Sequence, residues 1–131
     1  MKGDEYSEAE ILIAEDNATN YFLLKELVHQ FGVKHIWAKN GLEVLDILET
    51  HKDISVILMD ISMPQMDGIT ATRKIRGKRI DIPVIFQTAY ASEENIEECF
   101  KAGGNDFISK PLNKEKISLV LRKYLFKNQI H

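Results

Sequence analysis

The sequence predicts an α/β fold of five strand–helix units, (βα)5, arranged around one parallel sheet. Five short apolar runs alternate with segments of helical periodicity, and strands that alternate with helices form parallel sheets covered on both faces. The 131 residues are enough for one domain with one sizeable core. A hydrophobic share of 44% and a charged share of 28% are typical of an ordinary globular protein.

The five apolar runs are predicted to be the five strands of the sheet. They lie at residues 11–14, 33–38, 54–61, 84–86 and 107–108. Runs of Val, Ile, Leu and Phe without polar alternation indicate strands buried on both faces. Trp37 stands late in the second run, which we expect at the sheet edge, and it is expected to pack or to be partly exposed.

The first helix is predicted to begin after Asn17 and to end at Gly32. Its apolar residues follow helical spacing and should form one side that faces the sheet: Leu23, Leu24, Leu27, Val28 and Phe31. At 100° per residue, Phe22 falls on the opposite side. We therefore expect Phe22 to be substantially exposed.

The four later helices have comparable signals. Asn40 can cap the second helix. The third ends near Gly77, and the fourth begins at Ser92, where acidic residues in the first turn suit the helix dipole. The last helix follows Asn113 and carries its apolar residues at helical spacing, namely Ile117, Val120, Leu121, Tyr124 and Leu125.

Composition excludes several classes of function. A net charge of −3 gives no basic surface for nucleic acid, and no apolar run approaches the roughly 18 residues that span a bilayer. The polar N-terminus is not a secretory signal peptide. The single cysteine, Cys99, excludes an internal disulfide and fits a reducing compartment, so we expect a cytoplasmic location. Residues 1–9 and 128–131 are interpreted as tails, and 10–127 as the domain.

Polar residues follow four of the predicted strands at their carboxyl ends. Glu15 and Asp16 follow the first strand, Asp60 ends the third, Thr88 follows the fourth and Lys110 follows the fifth. Ligands of open α/β sheets bind beyond the carboxyl ends of the strands. We therefore expect these side chains to meet at one edge of the sheet.

This set of residues is suited to phosphoryl transfer. Clustered carboxylates without His or Cys neighbours predict a hard cation, and Mg²⁺ fits best. An ionised carboxylate can attack phosphorus, so Asp60 is a candidate nucleophile. Lys110 offers a positive charge and Thr88 a hydrogen-bond donor for phosphoryl oxygens.

Four motifs, IAEDN, MDISMPQMDG, QTAYA and SKP, resemble those of the receiver domains of two-component response regulators. The resemblance covers residues from about 10 to 127. The residues of these motifs look most like those of receivers attached to hybrid histidine kinases. It implies a flavodoxin-like three-layer sandwich with strand order 2-1-3-4-5. It also implies a cis peptide bond between Lys110 and Pro111.

The resemblance assigns metal and phosphoryl roles. It implies that Asp60 is the phosphoacceptor and that Asp16 and Asp60 bind Mg²⁺ directly. Glu15 would act mostly through water, and the backbone carbonyl of Ser62 would be a further ligand. Thr88 would join Lys110 in holding the phosphoryl group.

Other residues would transmit or limit the signal. Thr88 and Phe107 match the positions of the family's switch residues; a phenylalanine lacks the hydroxyl of the tyrosine common there. The side chains of Ser62 and Tyr90 would flank the path of the water that hydrolyses the acyl phosphate. Tyr90 is expected to shield that bond and slow hydrolysis.

The implied function is a phosphorelay switch. The domain would take a phosphoryl group from a histidine kinase or a histidine phosphotransfer protein, and Phe22 would help to dock that partner. It is not expected to be an enzyme in the ordinary sense, although it would promote its own phosphorylation and dephosphorylation. A dimer is compatible with the family, nucleic acid and direct membrane contact are not expected, and the domain could belong to a membrane-anchored hybrid kinase.

Three other functions remain open at this point. A phosphatase of the haloacid-dehalogenase class would need a second acid two residues after the nucleophile, where Ser62 stands. A flavin carrier on the same fold would need a phosphate-cradling loop, whereas EDNATN places two acids there. A binding module independent of phosphorylation would typically lack the acidic set, which is intact here.

Overall fold

The computed structural model describes residues 9–89 and 92–125, in which five strands and five helices alternate. The strands are β1 (Glu10–Ala14), β2 (Lys34–Ala38), β3 (Ile54–Asp60), β4 (Val84–Thr88) and β5 (Asp106–Ser109). The helices are α1 (Ala18–Phe31), α2 (Gly41–Thr50), α3 (Gly68–Gly77), α4 (Glu93–Lys101) and α5 (Lys114–Leu125). All neighbouring strands are parallel, in the order β2-β1-β3-β4-β5, which confirms the predicted fold class.

Side-chain caps fix where the helices begin, and most were predicted. The side chains of Asn17, Asn40 and Ser92 each accept a hydrogen bond from the backbone N–H three residues later. Gly32 ends α1 with a left-handed φ of 86°, a conformation that glycine adopts without steric cost. Asp67 caps α3 in the same way and was not singled out from the sequence.

The sheet separates two apolar layers, because successive residues of a strand point to opposite faces. One layer packs β-strand side chains such as Ile13 and Leu58 against α1 and α5. The other packs residues such as Met59 and Phe86 against α2, α3 and α4. Cys99 lies in this second layer and is 2% exposed, as expected of a small buried hydrophobe.

The side of α1 that packs on the sheet differs from the prediction in one residue. Leu24 and Val28 are fully buried as expected, but Leu23 is 44% exposed and Tyr21 takes its place in the core. The Tyr21 ring stacks on the indole of Trp37 with centroids 3.7 Å apart and planes 2° from parallel. This contact with the edge strand turns Tyr21 inward, so the placement of Leu23 was wrong.

Helix α3 begins directly beneath the end of β3. A Cβ atom on Gly68 would lie 2.2 Å from the backbone carbonyl oxygen of Asp60. The Gly68 N–H also donates to the carbonyl of Ile61 at 2.8 Å. Only glycine permits this approach, which joins the first turn of α3 to the strand that carries Asp60.

Among the described residues, no helix is long and apolar enough to cross a membrane.

Candidate functional site

The site lies at the carboxyl ends of the strands, in line with one row of core side chains on the sheet. Near the ends of β1, β3, β4 and β5, a core residue of the layer under α1 and α5 is followed two positions later by a polar residue. These polar residues are Glu15, Asp60, Gln87 and Lys110. The core residues of that row are Ile13, Leu58, Ile85 and Ile108. Because side chains two apart along a strand share a face, the row places the four polar side chains on one side of the sheet. Three of them, Glu15, Asp60 and Lys110, were expected to meet at this edge.

Three carboxylates form a compact acidic cluster. Glu15, Asp16 and Asp60 each offer an oxygen, and these oxygens all lie within 4.8 Å of one another. Glu15 is 0% exposed and Asp60 is 6% exposed, whereas Asp16 faces solvent. The cluster is therefore deep on one side and open to an incoming ion or substrate on the other.

Lys110 compensates only part of this negative charge. Its ammonium lies 3.5 Å from Asp60 Oδ1 and 3.8 Å from Glu15 Oε1. Burial, and then the charge of Asp60, raises the pKa of Glu15 from 4.5 to about 7. Burial also raises the pKa of Asp60, against the opposing effect of Lys110. One lysine thus compensates the negative charge of the buried carboxylates only in part.

The donor set fits a hard divalent cation such as Mg²⁺. The three clustered side chains supply only oxygens. Glu15 Oε1 is buried and has no hydrogen-bond partner within the described parts of the chain. A buried carboxylate oxygen without a hydrogen bond is costly unless nearby positive charge compensates it. Lys110 does so only at 3.8 Å, and a cation in the cluster would compensate it further.

The edge strand β2 holds the backbone of Glu15 in place. The Glu15 N–H donates to the carbonyl of Ala38 at 3.0 Å, and the indole Nε1 of Trp37 donates to the Glu15 carbonyl at 2.7 Å. The Trp37 ring is itself fixed by its stack on Tyr21. The sequence predicted packing for Trp37, but this hydrogen bond depends on the pairing of β1 with β2 and was missed.

Tyr21 also joins this arrangement to a histidine. Its hydroxyl lies 2.7 Å from His35 Nε2. Burial, together with the positive charges of Lys25 and His29, lowers the pKa of His35. His35 therefore resists protonation in the folded protein.

A cavity of about 270 Å³ opens beside Asp60 at the ends of β3, β4 and β5. Its lining residues come from those strand ends, from the segments that follow and from α4: Asp60, Ile61, Ser62, Gln87, Thr88, Ala89, Asn95 and Lys110. The Lys110 N–H donates to the Thr88 carbonyl at 2.8 Å and fixes the two strand ends together. The predicted residues Ser62, Thr88 and Lys110 thus share one cavity with Asp60, and Gln87 and Asn95 were not foreseen.

The remaining sequence-predicted residues are distributed around this site. Phe107 is half-buried in β5 and packs against the layer of α2, α3 and α4. Phe22 is 57% exposed, which confirms the expected exposure, and the Lys25 ammonium lies 5.9 Å from its ring centroid. The Lys110–Pro111 bond is cis, as the resemblance implied. Tyr90 lies outside the described residues.

Comparisons with known proteins agree with this geometry. The family model "Response regulator receiver domain" matches residues 11–122. The chain is 32% identical over 132 residues to the osmosensing histidine protein kinase SLN1 of Saccharomyces cerevisiae; the match covers 95% of this chain but only 11% of that kinase.

Two solved structures have the same fold. The receiver domain of a sensor histidine kinase from Pseudomonas aeruginosa, solved with a magnesium ion coordinated in its active site cleft, matches with a TM-score of 0.82 and 30% identity, over 88% of this chain and 96% of that one. The Saccharomyces cerevisiae complex of the histidine phosphotransfer protein Ypd1 with the receiver domain of Ssk1 gives a TM-score of 0.88, at 23% identity, over 95% of this chain and 94% of the other.

Proposed function

Because the chain belongs to the response regulator receiver domain family, we propose that it takes a phosphoryl group from a phosphohistidine onto Asp60 and so acts as a switch in a phosphorelay. One observation supports this most strongly. A nearly buried carboxylate ends β3 within ion-pair distance of Lys110 and within a cluster of two further acids. That arrangement supplies a nucleophile, a counter-charge and a cation site at one point.

The transfer needs no general base. An oxygen of the Asp60 carboxylate forms a bond to phosphorus while the P–N bond of the phosphohistidine breaks, and the electron pair stays on the imidazole nitrogen. Lys110 already faces Asp60 and would follow the charge onto the phosphoryl oxygens. The Thr88 hydroxyl, at the end of β4 in the same cavity, would donate to another oxygen.

Mg²⁺ would be held by the carboxylates of Asp16 and Asp60 directly, by Glu15 mostly through water, and by the backbone carbonyl of Ser62. When bound, the ion would reduce the repulsion between these acids and the incoming phosphoryl group. The buried Oε1 of Glu15 supports this assignment, because among the described residues it has no hydrogen-bond partner and only a 3.8 Å ion pair with Lys110.

The switch would run from the phosphoryl group to the surface. Thr88 would move with its new hydrogen bond, and Phe107, half-buried in the neighbouring strand, would repack in response. Ser62 and Tyr90 would set the lifetime of the acyl phosphate by flanking the path of the attacking water. The domain would thus promote its own phosphorylation and its own dephosphorylation, in which water attacks the acyl phosphate, the Asp60 carboxylate is regenerated and inorganic phosphate is released.

The donor would be a histidine kinase or a histidine phosphotransfer protein that docks over α1. Phe22 presents a large exposed ring one turn into this helix, which starts directly after the acidic cluster. A histidine that reaches Asp60 must pass near that surface. The domain would work on the cytoplasmic side, alone or within a membrane-anchored hybrid kinase, and could pair with a second copy.

Acetyl phosphate tests the proposal without any partner protein. In the presence of Mg²⁺, the chain should gain one alkali-labile phosphoryl group on Asp60, detected by intact mass and peptide mapping. Asp60→Asn should gain none. Asp16→Asn should fold normally yet lose Mg²⁺ binding and most of the phosphorylation. Full phosphorylation of Asp60→Asn, or unchanged Mg²⁺ affinity in Asp16→Asn, would contradict the assignment.

A further inference from the structure

Gln87 stands beside the phosphoacceptor in the sheet. It is the penultimate residue of β4, and its Cα pairs with that of Asp60 in β3 and of Ile108 in β5. Paired residues of parallel strands point to the same face, so the Gln87 side chain emerges next to Asp60. Lys110 follows Ile108 by two residues and emerges on that face as well.

The carboxamide of Gln87 is fully buried, and neither its oxygen nor its nitrogen has a hydrogen-bond partner among the described residues. Such groups are rare, because burial removes water that they would otherwise bind. A strand buried on both faces is normally filled by aliphatic residues. In the unphosphorylated state, an aliphatic side chain at this position would therefore give a more stable fold.

The cavity beside Gln87 indicates what the carboxamide could bind. Gln87 lines it together with Asp60, Thr88 and Lys110. A phosphoryl group on Asp60 would draw the Lys110 ammonium away from the carboxyl oxygen that it now faces at 3.5 Å. That change removes the Lys110 ion pair from one carboxyl oxygen of Asp60 and reorients the Lys110 ammonium. Both groups line the same cavity as Gln87.

We propose that Gln87 is a positioning residue of the phosphoacceptor site. Its NH₂ group donates to the carboxyl oxygen of Asp60 that does not carry phosphorus, and its carbonyl oxygen accepts from the Lys110 ammonium. Both bonds favour the phosphorylated arrangement over the resting one. The role rests on the proposed function, since it exists only if Asp60 accepts a phosphoryl group.

Two substitutions test the role by rate. Gln87→Met keeps the length of the side chain and removes its hydrogen bonds, and Gln87→Leu does the same with a different shape. Both should fold and should be phosphorylated by acetyl phosphate about tenfold more slowly at saturating Mg²⁺, the size expected for hydrogen bonds to charged groups. Ile85→Val is the matched control, because it alters packing on the same face of β4 outside the cavity, and its rate should stay at the wild-type value.

A second measurement does not depend on the rate. The side-chain amide signals of Gln87, assigned by their loss in Gln87→Met, should shift on phosphorylation and their protons should exchange more slowly with water. Wild-type rates in both variants, equal slowing in Ile85→Val, or unmoved amide signals would each overturn the inference. A wild-type chain that accepts no phosphoryl group would refute the proposed function itself, and the inference with it.

Discussion

Replacement of Trp37 by phenylalanine tests whether the edge strand controls the metal site. The change keeps an aromatic ring on Tyr21 but removes the indole N–H that donates to the Glu15 carbonyl at 2.7 Å. Glu15 is 0% exposed, so water does not readily replace the lost donor. We expect the turn from β1 to α1, which carries both Glu15 and Asp16, to lose one of its two backbone anchors on β2.

The size of the effect follows from this geometry. A hydrogen bond contributes about 1 kcal/mol net, and a buried acceptor left unpaired costs about 1–3 kcal/mol. Trp37→Phe should therefore lower the free energy of unfolding by about 2 kcal/mol. About 1 kcal/mol of this loss is expected to act on the metal site, because Glu15 and Asp16 are then held less firmly. Mg²⁺ affinity should therefore fall about fivefold.

Chemical denaturation followed by circular dichroism gives the stability, and titration calorimetry gives the Mg²⁺ affinity. Tyr21→Phe is the matched control, because it loses the hydroxyl contact with His35 but keeps the ring stack and leaves the Trp37 hydrogen bond intact. The reasoning is refuted if Trp37→Phe binds Mg²⁺ like the wild type, or if Tyr21→Phe weakens binding equally.

Four further outcomes are expected. Phe22→Ala should slow phosphoryl transfer from a phosphohistidine partner several-fold and spare phosphorylation by acetyl phosphate, because the ring is 57% exposed outside the site. Gly68→Ala should destabilise the fold by about 3 kcal/mol, since its Cβ would lie 2.2 Å from the Asp60 carbonyl oxygen. Gly77→Ala, which meets nothing within 4 Å, should instead stabilise it by about 0.5–1 kcal/mol. His35→Gln should flatten the loss of stability on acidification below about pH 6.5, because the folded state lowers the pKa of His35 and the unfolded chain takes up the proton more readily.

Each outcome has a clear opposite. Equal loss with both phosphodonors would make Phe22 a structural residue. A stable Gly68→Ala protein would mean that α3 can withdraw from β3. For His35, the readout is the difference between variant and wild type, because the raised pKa of Glu15 acts in the other direction and favours the fold as the pH falls. An unchanged difference from about pH 7.5 to 5.5 would contradict the assignment.

Local chemistry made much of the fold predictable. Asn17 and Ser92 cap helices with their own side chains, and Gly32 ends one by its own backbone freedom. These signals act within four residues and need no tertiary context. The convergence of Asp60 and Lys110 was equally accessible, because parallel strands must end at the same edge.

The inward turn of Tyr21 was not accessible in the same way. A ranking of the residues of α1 by apolarity alone places Leu23 above Tyr21 for burial. The deciding contact is the stack on Trp37, sixteen residues later on a strand whose register is fixed by its pairing with β1. A stacked ring whose hydroxyl is paired with His35 is buried here, whereas Leu23 remains 44% exposed.

The pair Gln87 and Thr88 shows why the site depends on register as well as on motif. Adjacent residues of a strand point to opposite faces, so only one of the two can extend the row that ends in Asp60. The pairing of Asp60 with Gln87 gives that place to the glutamine, while Thr88 continues the opposite row from Phe86 and reaches the cavity because β4 ends there. A slip of one residue in β4 would exchange them and bury a hydroxyl where the carboxamide now lies. The chemistry of Asp60 is thus tied to the alignment of β3 with β4, which no single strand specifies by itself.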